Sequence, residues 1–303
     1  MSASPAPPPA PAVDVVIPTY NRADLLPEAV ASIQRQTVRV ASIFIVDDGS
    51  TDDSVAWIER AAQSDPRIVL IRQQHGGANR ARNAGIARSG APWIAFLDSD
   101  DAWEADKLER QFALLAAMPE AVGLFCGFRL VGGAVERVHV PRNDPSLRDL
   151  RCANALGSTS GAVIRTQTLR DIGGFDPLLP SCQDWDLWFR VRQQGRIAVA
   201  RAPLVRFNCG PHERITTAMQ KVLDGHRTLF TRMLDGVESA SERALIRARH
   251  QLVEADIRRR FGAHGPAMWL ATRSFLSSPS KWALAMAWRA GKGALAAAGN
   301  GGR

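Results

Sequence analysis

The chain has 303 residues, of which 46% are hydrophobic and 22% charged, and this predicts one large globular domain, or one domain with an appendage. Its formal charge of +8 comes mostly from scattered arginines, without a dense basic run interleaved with aromatics, which argues against nucleic-acid binding and favours an anionic substrate or an acidic membrane surface. The four widely spaced cysteines form no Cys-x-x-Cys pair, which argues against zinc and a disulfide framework and suits a reducing cytoplasm.

The N-terminal residues 1–12 form an Ala/Pro tract that is expected to be a disordered leader. This tract has no basic start followed by an apolar stretch, so no signal peptide is predicted. No apolar run in the chain approaches the roughly 20 residues that a membrane-spanning helix needs. The sequence therefore predicts a cytoplasmic protein, either free or in peripheral contact with the inner face of the plasma membrane.

Residues 13–97 alternate between β-rich runs and amphipathic helical segments. Strands are predicted at 13–17, 42–46, 68–71 and 93–97, and helices at 24–36, 52–62 and 78–88. This alternation is typical of βαβ units, so we expect an α/β fold with a mostly parallel sheet flanked by helices. In such sheets, ligands bind beyond the carboxyl ends of the strands.

Polar motifs follow three of these strands at their carboxyl ends, and they are expected to converge on one site. The motifs are Pro18-Thr19-Tyr20-Asn21, Asp47-Asp48-Gly49-Ser50 and Asp98-Ser99-Asp100-Asp101. Crowded carboxylates repel one another unless a cation lies among them, and Mg²⁺ or Mn²⁺ prefers such oxygens. An acidic turn before the helix predicted from Glu104 is the alternative interpretation, because Asp and Ser are also common turn and N-cap residues.

The alternation weakens after Pro141. A small-residue turn is predicted at 157–161, a tight turn at 173–176, and a helix beginning near Gln183. From about His212 onward the pattern is helical without strand signals. The predicted organisation is therefore an α/β domain over residues 13–211 and a helical C-terminal region over residues 212–303.

The last predicted helix, residues 281–298, is amphipathic. Leu284, Trp288 and Leu295 share one stripe, flanked by Lys281 and Lys292. This pattern suits interfacial membrane binding, with the basic residues at the lipid headgroups. The same pattern also suits the packing of the stripe on the catalytic domain, and both interpretations stay open.

Five motifs occur along the chain in a fixed order: VIPTYNR (16–22), IVDDGSTD (45–52), GGANRARNAG (76–85), LDSDD (97–101) and QDWDLW (183–188). Together they resemble the inverting, nucleotide-sugar-dependent glycosyltransferases of family 2, which have the Rossmann-like GT-A fold. The resemblance covers roughly two thirds of the chain. It implies a GT-A domain followed by a helical appendage.

For the sugar donor, the resemblance implies that Asp48 hydrogen-bonds the imide of uracil or thymine, and that Pro18, Thr19 and Tyr20 line the nucleoside pocket. The alternative for Asp48 is an Asx-turn or a helix cap, the role also expected for Asp47. Two arginines of the third motif, Arg80 and Arg82, are expected to reach phosphate or to fix the carboxylates. A solvated helix face is the alternative for either arginine.

For the reaction, the resemblance makes Asp100 the main ligand of Mn²⁺ or Mg²⁺, with Asp98 on ribose or metal and Ser99 in the same donor-binding segment. Asp184 is the implied catalytic base, although an aspartate at a helix start is also a routine N-cap. The family often has Glu before this Asp, whereas this chain has Gln183. A histidine near the metal is assigned to His212 on a poor local match.

The expected activity is transfer of one sugar from a nucleotide-diphosphate donor, with UDP-sugar favoured, to a hydroxyl acceptor: a saccharide, a lipid-linked saccharide or a protein. The expected setting is the synthesis of surface polysaccharide, glycolipid or glycoconjugate. A non-catalytic nucleotide-binding module is the alternative. A nucleotidyltransferase is a weaker one, because the first strand lacks the glycine-rich loop with Arg or Lys that such enzymes carry.

Overall fold

The structure is a computed structural model that describes residues 10–132, 137–141, 144–209 and 218–300, with side chains up to residue 294 in the last range. The predicted leader lies largely outside the described residues. The chain divides into two compact units, each described here by itself. The first unit comprises Met1–Pro145, Ala155–Pro177 and Leu187–His212, and the second comprises Ser146–Asn154, Leu178–Asp186 and Glu213–Arg303.

The first unit begins with the predicted alternation of strands and helices. Its elements are β1 (Val13–Thr19), α1 (Leu26–Gln34), β2 (Ile43–Asp47), α2 (Ser54–Ser64), β3 (Ile68–Arg72), α3 (Ala78–Arg88) and β4 (Trp93–Phe96). Strands β1 to β4 pair in parallel, and all seven residues of β1 are buried. The predicted α/β fold with a parallel sheet is confirmed for this segment.

The chain after β4 adds short strands and helices that the sequence pattern does not predict individually. They are β5 (Ala102–Trp103), α4 (Lys107–Phe112), β6 (Gly123–Val131), β7 (Arg137–His139), α5 (Leu147–Cys152), β8 (Val163–Arg165), α6 (Thr166–Asp171), α7 (Gln183–Gln194) and β9 (Ile197–Asn208). In the described sheet, the strand order is β3-β2-β1-β4-β8-β6-β9-β5, with β7 on β6. The helix predicted from Glu104 begins only at Lys107, because β5 and a turn precede it.

Helix α3 packs unusually close to β1, which fixes the helix start relative to the strand ends. A Cβ atom on Gly85 would lie 2.5 Å from Cγ1 of Val16, so no larger residue fits between the two elements. At the other end of β1, buried Asp14 accepts hydrogen bonds from the Ser89 hydroxyl and from the backbone of Gly90 and Ala91. Helix α3, which carries Arg82, therefore packs tightly against the sheet.

The second unit contains four long helices. They are α8 (Met219–Leu234), α9 (Ala240–Arg260), α10 (His264–Ser277) and α11 (Lys281–Asn300). Small and aliphatic residues of α9, α10 and α11 form a buried cluster that includes Ala255, Ala267, Leu270 and Ala290. Among the described residues, no helix is both long enough and apolar enough to cross a membrane.

A buried histidine pair joins α8 to α9. The Nε2 atom of His250 lies 2.8 Å from the carbonyl oxygen of Arg151, so this nitrogen must carry the proton and donate. The unprotonated Nδ1 of His250 then accepts from Nε2 of His226 at 3.0 Å. Burial lowers the pKa of His226 to about 4, and burial together with the neighbouring His226 lowers the pKa of His250 to about 3. Both rings are therefore neutral at pH 7.

This pair predicts acid-sensitive stability. Both histidine pKa values lie below the ordinary 6.5, so the unfolded chain takes up protons first as the pH falls. The stabilisation is complete above pH 6.5 and is lost on acidification toward about 3, by an amount on the order of several kcal/mol for the pair. Urea unfolding at pH 7 and about pH 5 measures the loss.

The variant H226Q/H250N, which cannot titrate, should flatten this pH dependence. The matched control is T228A on the same helix α8, because the exposed Thr228 does not titrate and its loss should leave the pH dependence unchanged. Equal wild-type stability at both pH values would contradict the prediction.

Candidate active site

The predicted site motifs of the first unit share one edge of the sheet. Strand β1 pairs in parallel with β2 on one side and with β4 on the other. Thr19 and Asp47 are register partners at the ends of β1 and β2, and Asp98 follows β4 by two residues. The carboxyl ends of the three strands therefore bring these motifs together, at the edge where α/β proteins bind ligands.

The segment after β1 presents a hydroxyl and a ring. Thr19 is 3% exposed, and its Oγ1 has no hydrogen-bond partner in the described structure. The preceding Pro18 lies in β1 opposite Val46. Tyr20 is 42% exposed, and its ring centroid lies 4.4 Å from that of His75. A buried hydroxyl without a partner normally costs free energy, so Thr19 is a candidate for contact with a ligand.

The carboxylate of Asp48 anchors the loop that follows β3. It accepts hydrogen bonds from the backbone of Gly76 (2.9 Å) and Gly77 (2.8 Å) and from Nε2 of Gln73 (2.6 Å), while Nδ1 of His75 lies 3.0 Å from Oδ2. Two donors thus meet each oxygen of the buried carboxylate. A nucleobase that hydrogen-bonds the Asp48 carboxylate must displace one of these four donors. The exposed side chain of His75 is the easiest of them to move.

Asp47 has the turn role expected from the sequence. Its carboxylate accepts from the backbone of Gly49 and Ser50 at 3.2–3.3 Å. Gly49 has a φ of 84°, which favours glycine at this position. The side chain of Asn21 ties the β1 loop to the same turn by accepting from the backbone of Thr51 at 2.7 Å.

The two predicted arginines of α3 have different environments. Arg82 is buried, and its Nη2 donates to Oδ1 of Asp98 at 2.6 Å. The Arg82 guanidinium also lies 5.2 Å from the ring centroid of Phe175, and its Nε and Nη1 have no hydrogen-bond partner in the described structure. Arg80 is exposed. Arg82 therefore holds the β4 carboxylate, whereas Arg80 remains accessible to a ligand.

Partly exposed and buried residues alternate in the acidic cluster after β4. Asp98 and Asp100 keep some exposure, whereas Ser99 and Asp101 are buried. Burial raises the pKa of Asp101 well above its ordinary value, and the carboxylates of Asp98 and Asp100 add to this effect. The carboxylates of Asp98 and Asp100 therefore make the electrostatic potential at this strand end negative.

Ser160 organises the cluster, although the sequence motifs do not identify it. Its Oγ donates to Oδ2 of Asp101 at 2.6 Å and accepts from the backbone of Asp98 at 3.1 Å. The second oxygen of Asp101 accepts from the backbone of Asn208. The carbonyl of Ser160 accepts from the indole of Trp103. The small-residue turn at 157–161 is the available sequence signal for this role.

The turn at Gly173-Gly174-Phe175-Asp176 is a second support that the sequence leaves without a role. The side chain of Asn83 donates to the carbonyl of Phe175 at 2.7 Å and accepts from its backbone nitrogen at 2.8 Å. A Cβ atom on Gly174, whose φ is 68°, would lie 2.4 Å from Oδ1 of Asn83. This arrangement sets the Phe175 ring beside Arg82.

The predicted base, Asp184, belongs to the second unit. It lies in the first turn of α7, is half-buried, and accepts hydrogen bonds from Nδ2 of Asn154 at 3.0 Å and from the backbone of Trp185 at 2.7 Å. The preceding Cys182 has a positive φ of 59°. Burial, followed by the charge of Asp184, raises the pKa of the Cys182 thiol to about 12, so the thiol stays protonated. The predicted His212 lies outside the described residues.

The described residues contain no group of three His, Cys, Asp or Glu side chains arranged to hold a metal ion. Asp98 and Asp100 nonetheless provide the hard oxygen donors that Mn²⁺ and Mg²⁺ prefer. Such ions are often held by one or two carboxylates together with substrate phosphates. The donor chemistry of this strand end therefore fits a divalent cation that a nucleoside diphosphate helps to bind.

The known proteins with similar sequences that we compared are named as glycosyltransferases. The chain is 26% identical over 220 residues to an uncharacterized glycosyltransferase of Rickettsia prowazekii, covering 70% of this chain and 68% of that protein. It is 30% identical over 194 residues to the putative teichuronic acid biosynthesis glycosyltransferase TuaG of Bacillus subtilis, covering 61% of this chain and 73% of that protein. Some relatives are longer, and the match spans 34% of one from Rickettsia felis.

Solved structures share the fold. The S. aureus TarS fragment 1–349 in complex with UDP-GlcNAc has a TM-score of 0.66 at 18% identity, covering 91% of this chain and 88% of that chain. The mannosyltransferase PcManGT of Pyrobaculum calidifontis, in complex with GDP-Man and Mn²⁺, has a TM-score of 0.57 at 17% identity, covering 96% and 87%. These likenesses confirm the predicted GT-A fold with C-terminal helices.

Residues 14–169, half of the chain, match the family described as Glycosyl transferase family 2. Together with the named relatives, this match confirms the family resemblance drawn from the five motifs and the expectation of an enzyme. The chain belongs to glycosyl transferase family 2.

Proposed function

We propose that this glycosyltransferase moves one sugar from a nucleoside diphosphate donor, with a UDP-sugar favoured, to an acceptor hydroxyl with inversion at the anomeric carbon. The UDP-GlcNAc in the TarS complex supports the donor class. The name of TuaG, which refers to teichuronic acid biosynthesis, supports an acceptor in surface polysaccharide, glycolipid or glycoconjugate synthesis. The proposed location is cytoplasmic, with the acceptor a saccharide, a lipid-linked saccharide or a protein.

The observation that carries this proposal is the shared sheet edge in the first unit. It combines the partnerless hydroxyl of Thr19, the exposed Tyr20 ring, the exposed Arg80 and the carboxylates of Asp98 and Asp100. These groups suit the parts of a nucleotide sugar. Thr19 and Tyr20 offer polar and stacking contacts for the nucleoside, while Arg80 and the cation held by the carboxylates offer positive charge for the diphosphate. Ser99, which lies between Asp98 and Asp100 in the sequence, is buried.

The proposed cofactor is Mn²⁺ or Mg²⁺, with Asp100 as its main ligand and Asp98 as a second. The Mn²⁺ in the PcManGT complex supports this choice. When bound, the cation supplies Lewis-acid stabilisation of the departing diphosphate. Arg82 meanwhile orients Asp98 through its 2.6 Å contact.

Asp184 is the proposed general base. As the acceptor oxygen forms its bond to the anomeric carbon and the bond to the diphosphate breaks, the carboxylate of Asp184 takes the hydroxyl proton. Hydrogen bonds from Asn154 and from the backbone of Trp185 fix its orientation.

A thermal-shift panel of UDP, GDP, dTDP and CMP, with and without Mn²⁺, tests the donor site. We expect UDP with Mn²⁺ to raise the melting temperature of the wild type, because a ligand that binds only the folded state stabilises it. The D100A variant should lose the metal-dependent part of this shift. No shift with any nucleotide would contradict the proposal.

Two threonine variants in the same panel separate ligand contact from packing. T19V removes a buried hydroxyl that has no partner, so it should leave the melting temperature without ligand unchanged or raised while weakening the UDP shift. The matched control is T166V, because Thr166 is equally buried but donates to the carbonyl of Ala91 at 2.6 Å. This control should lose stability and keep the UDP shift. An undiminished UDP shift in T19V would remove Thr19 from the pocket.

A further inference from the structure

Helix α11 leaves three of its large apolar residues exposed, and two of them, Leu284 and Trp288, belong to the predicted stripe. The helix packs through small residues, since Ala283 and Ala290 are fully buried. Trp282, Leu284 and Trp288 are 71%, 54% and 62% exposed. Burying a tryptophan is strongly favourable, so leaving two of them in water on one helix indicates a surface that a partner covers.

Helix α10 also exposes large apolar residues. Met268, Trp269 and Leu276 are 42%, 59% and 77% exposed. Met268 connects the two helices, because a Cβ atom on Gly291 of α11 would lie 3.7 Å from its sulfur. In the described part of the chain, all the exposed tryptophans lie on these two helices. We call these six residues (Met268, Trp269, Leu276, Trp282, Leu284 and Trp288) the apolar face.

The charged residues in the segment that carries the apolar face are all basic. Residues 257–303 contain eight of the 38 Lys and Arg residues and no Asp or Glu, which leaves 30 basic against 30 acidic residues in the rest of the chain. The whole formal excess of +8 therefore lies in these last 47 residues. Three of the eight, at the end of α9, are paired with Glu254 or Asp256.

Basic residues of α10 and α11 lie next to two of the exposed tryptophans. The Nζ atom of Lys292 lies 4.1 Å from the Trp288 ring centroid, and Cζ of Arg273 lies 5.2 Å from that of Trp269. Lys281 and Arg289 are exposed on α11. No ion pair involves these four basic residues within the described ranges. Tryptophan beside unpaired Lys and Arg is the composition that proteins place at the boundary between lipid headgroups and acyl chains.

The positive surface continues into a cavity of about 270 Å³ between α8, α9 and α10. Arg227, Arg247 and Arg273 line it, so Arg273 belongs both to the cavity and to the surroundings of Trp269. Its acidic residue, Glu254, is engaged by Arg258 at 2.7 Å. Arg227 pairs with Asp224 at 3.4 Å, whereas no ion pair within the described ranges involves Arg247 or Arg273. An anionic headgroup would therefore meet these two guanidinium groups beside the apolar face.

We propose that the apolar face binds the surface of an anionic membrane, with the tryptophans at the level of the headgroups and the basic residues on lipid phosphates. A second copy of this chain fits the face less well, because two like-charged surfaces free of acidic residues would repel each other. An anionic bilayer provides both the apolar layer and the negative potential that the residues require. The proposal does not depend on which sugar the enzyme transfers.

Flotation of the full chain with vesicles tests the proposal. We expect binding to phosphatidylcholine vesicles that contain phosphatidylglycerol, weakening as salt is added, and little binding to phosphatidylcholine alone. The K281E/K292E variant should bind the anionic vesicles on the order of tenfold or more weakly, because each basic residue near such a surface contributes roughly 1 kcal/mol. W282A/W288A should also bind several-fold more weakly, and the blue shift of its tryptophan emission on vesicle addition should be smaller, because only Trp269 of the apolar face remains.

Matched controls come from the first unit. R60E reverses an exposed helical charge, and V138A shortens an apolar side chain that is 53% exposed, and both should bind vesicles as the wild type does. Each variant should keep its helical circular dichroism and its UDP-dependent thermal shift. The thermal shift therefore tests the donor site independently of vesicle binding. Equal binding to neutral and anionic vesicles, or concentration-dependent dimers that shield the tryptophans without vesicle binding, would overturn the proposal.

Discussion

Replacing Asp184 with asparagine is expected to lower kcat for sugar transfer by about 10²–10⁴-fold while leaving the UDP-dependent thermal shift unchanged. Asparagine has the same shape but cannot take a proton from the acceptor hydroxyl. It keeps one oxygen to accept from the backbone of Trp185, which donates to Asp184 at 2.7 Å. The loss should therefore come from the chemical step and not from unfolding of the α7 start.

Asp224 provides the matched control for this substitution. It lies in the same unit on an exposed helix surface, where it accepts from Gln220 and Arg227. D224N should leave both kcat and stability close to those of the wild type. Steady-state kinetics at saturating donor and acceptor, with released nucleoside diphosphate as the product measured, check the pair of variants. A D184N enzyme that retains more than a third of the wild-type kcat would remove Asp184 from the role of base.

The first half of the fold could be predicted from the sequence because its signals are local. Strands β1 to β4 are apolar runs separated by amphipathic helices, and their parallel pairing follows from the alternation. The later strands pair over long sequence distances, as β8 does in antiparallel fashion with β4. Pairing in β6 also shifts register around Gly127. Neither feature leaves a periodic signal in the sequence.

In the candidate site, too, local features could be predicted from the sequence and tertiary contacts could not. Residue types at strand ends, such as Thr19, Asp48 and Asp98, could be predicted because parallel strands end together. The partners of these residues could not. Ser160 reaches Asp101 across 59 residues of sequence, and Phe175 reaches Arg82 through a distant glycine turn. The complete use of the Asp48 carboxylate by the 73–77 loop is likewise a tertiary property, which the motif does not encode.

Replacing Arg82 with methionine is expected to lower the free energy of unfolding by about 3 kcal/mol. Methionine fills the space beside the Phe175 ring but leaves Asp98, whose side chain is 27% exposed, without its charge partner. That partial exposure keeps the expected cost at the lower end for a broken buried pair. Urea unfolding of R82M, D98N and the double variant R82M/D98N measures the coupling between the two side chains.

The double variant should recover about half of the loss seen in R82M, because no charge is then left unpaired. The control is R35M, which opens the exposed pair with Glu28, whose side chains are 51% and 57% exposed, and it should have little effect. If R82M costs less than about 1 kcal/mol, the 2.6 Å contact does not hold the end of β4. If the double variant is no better than the single, the stabilisation lies in the packing of Arg82 on Phe175 and not in its charge. A large coupling energy would instead establish that the carboxylate proposed to meet the donor is positioned by an arginine of the neighbouring helix.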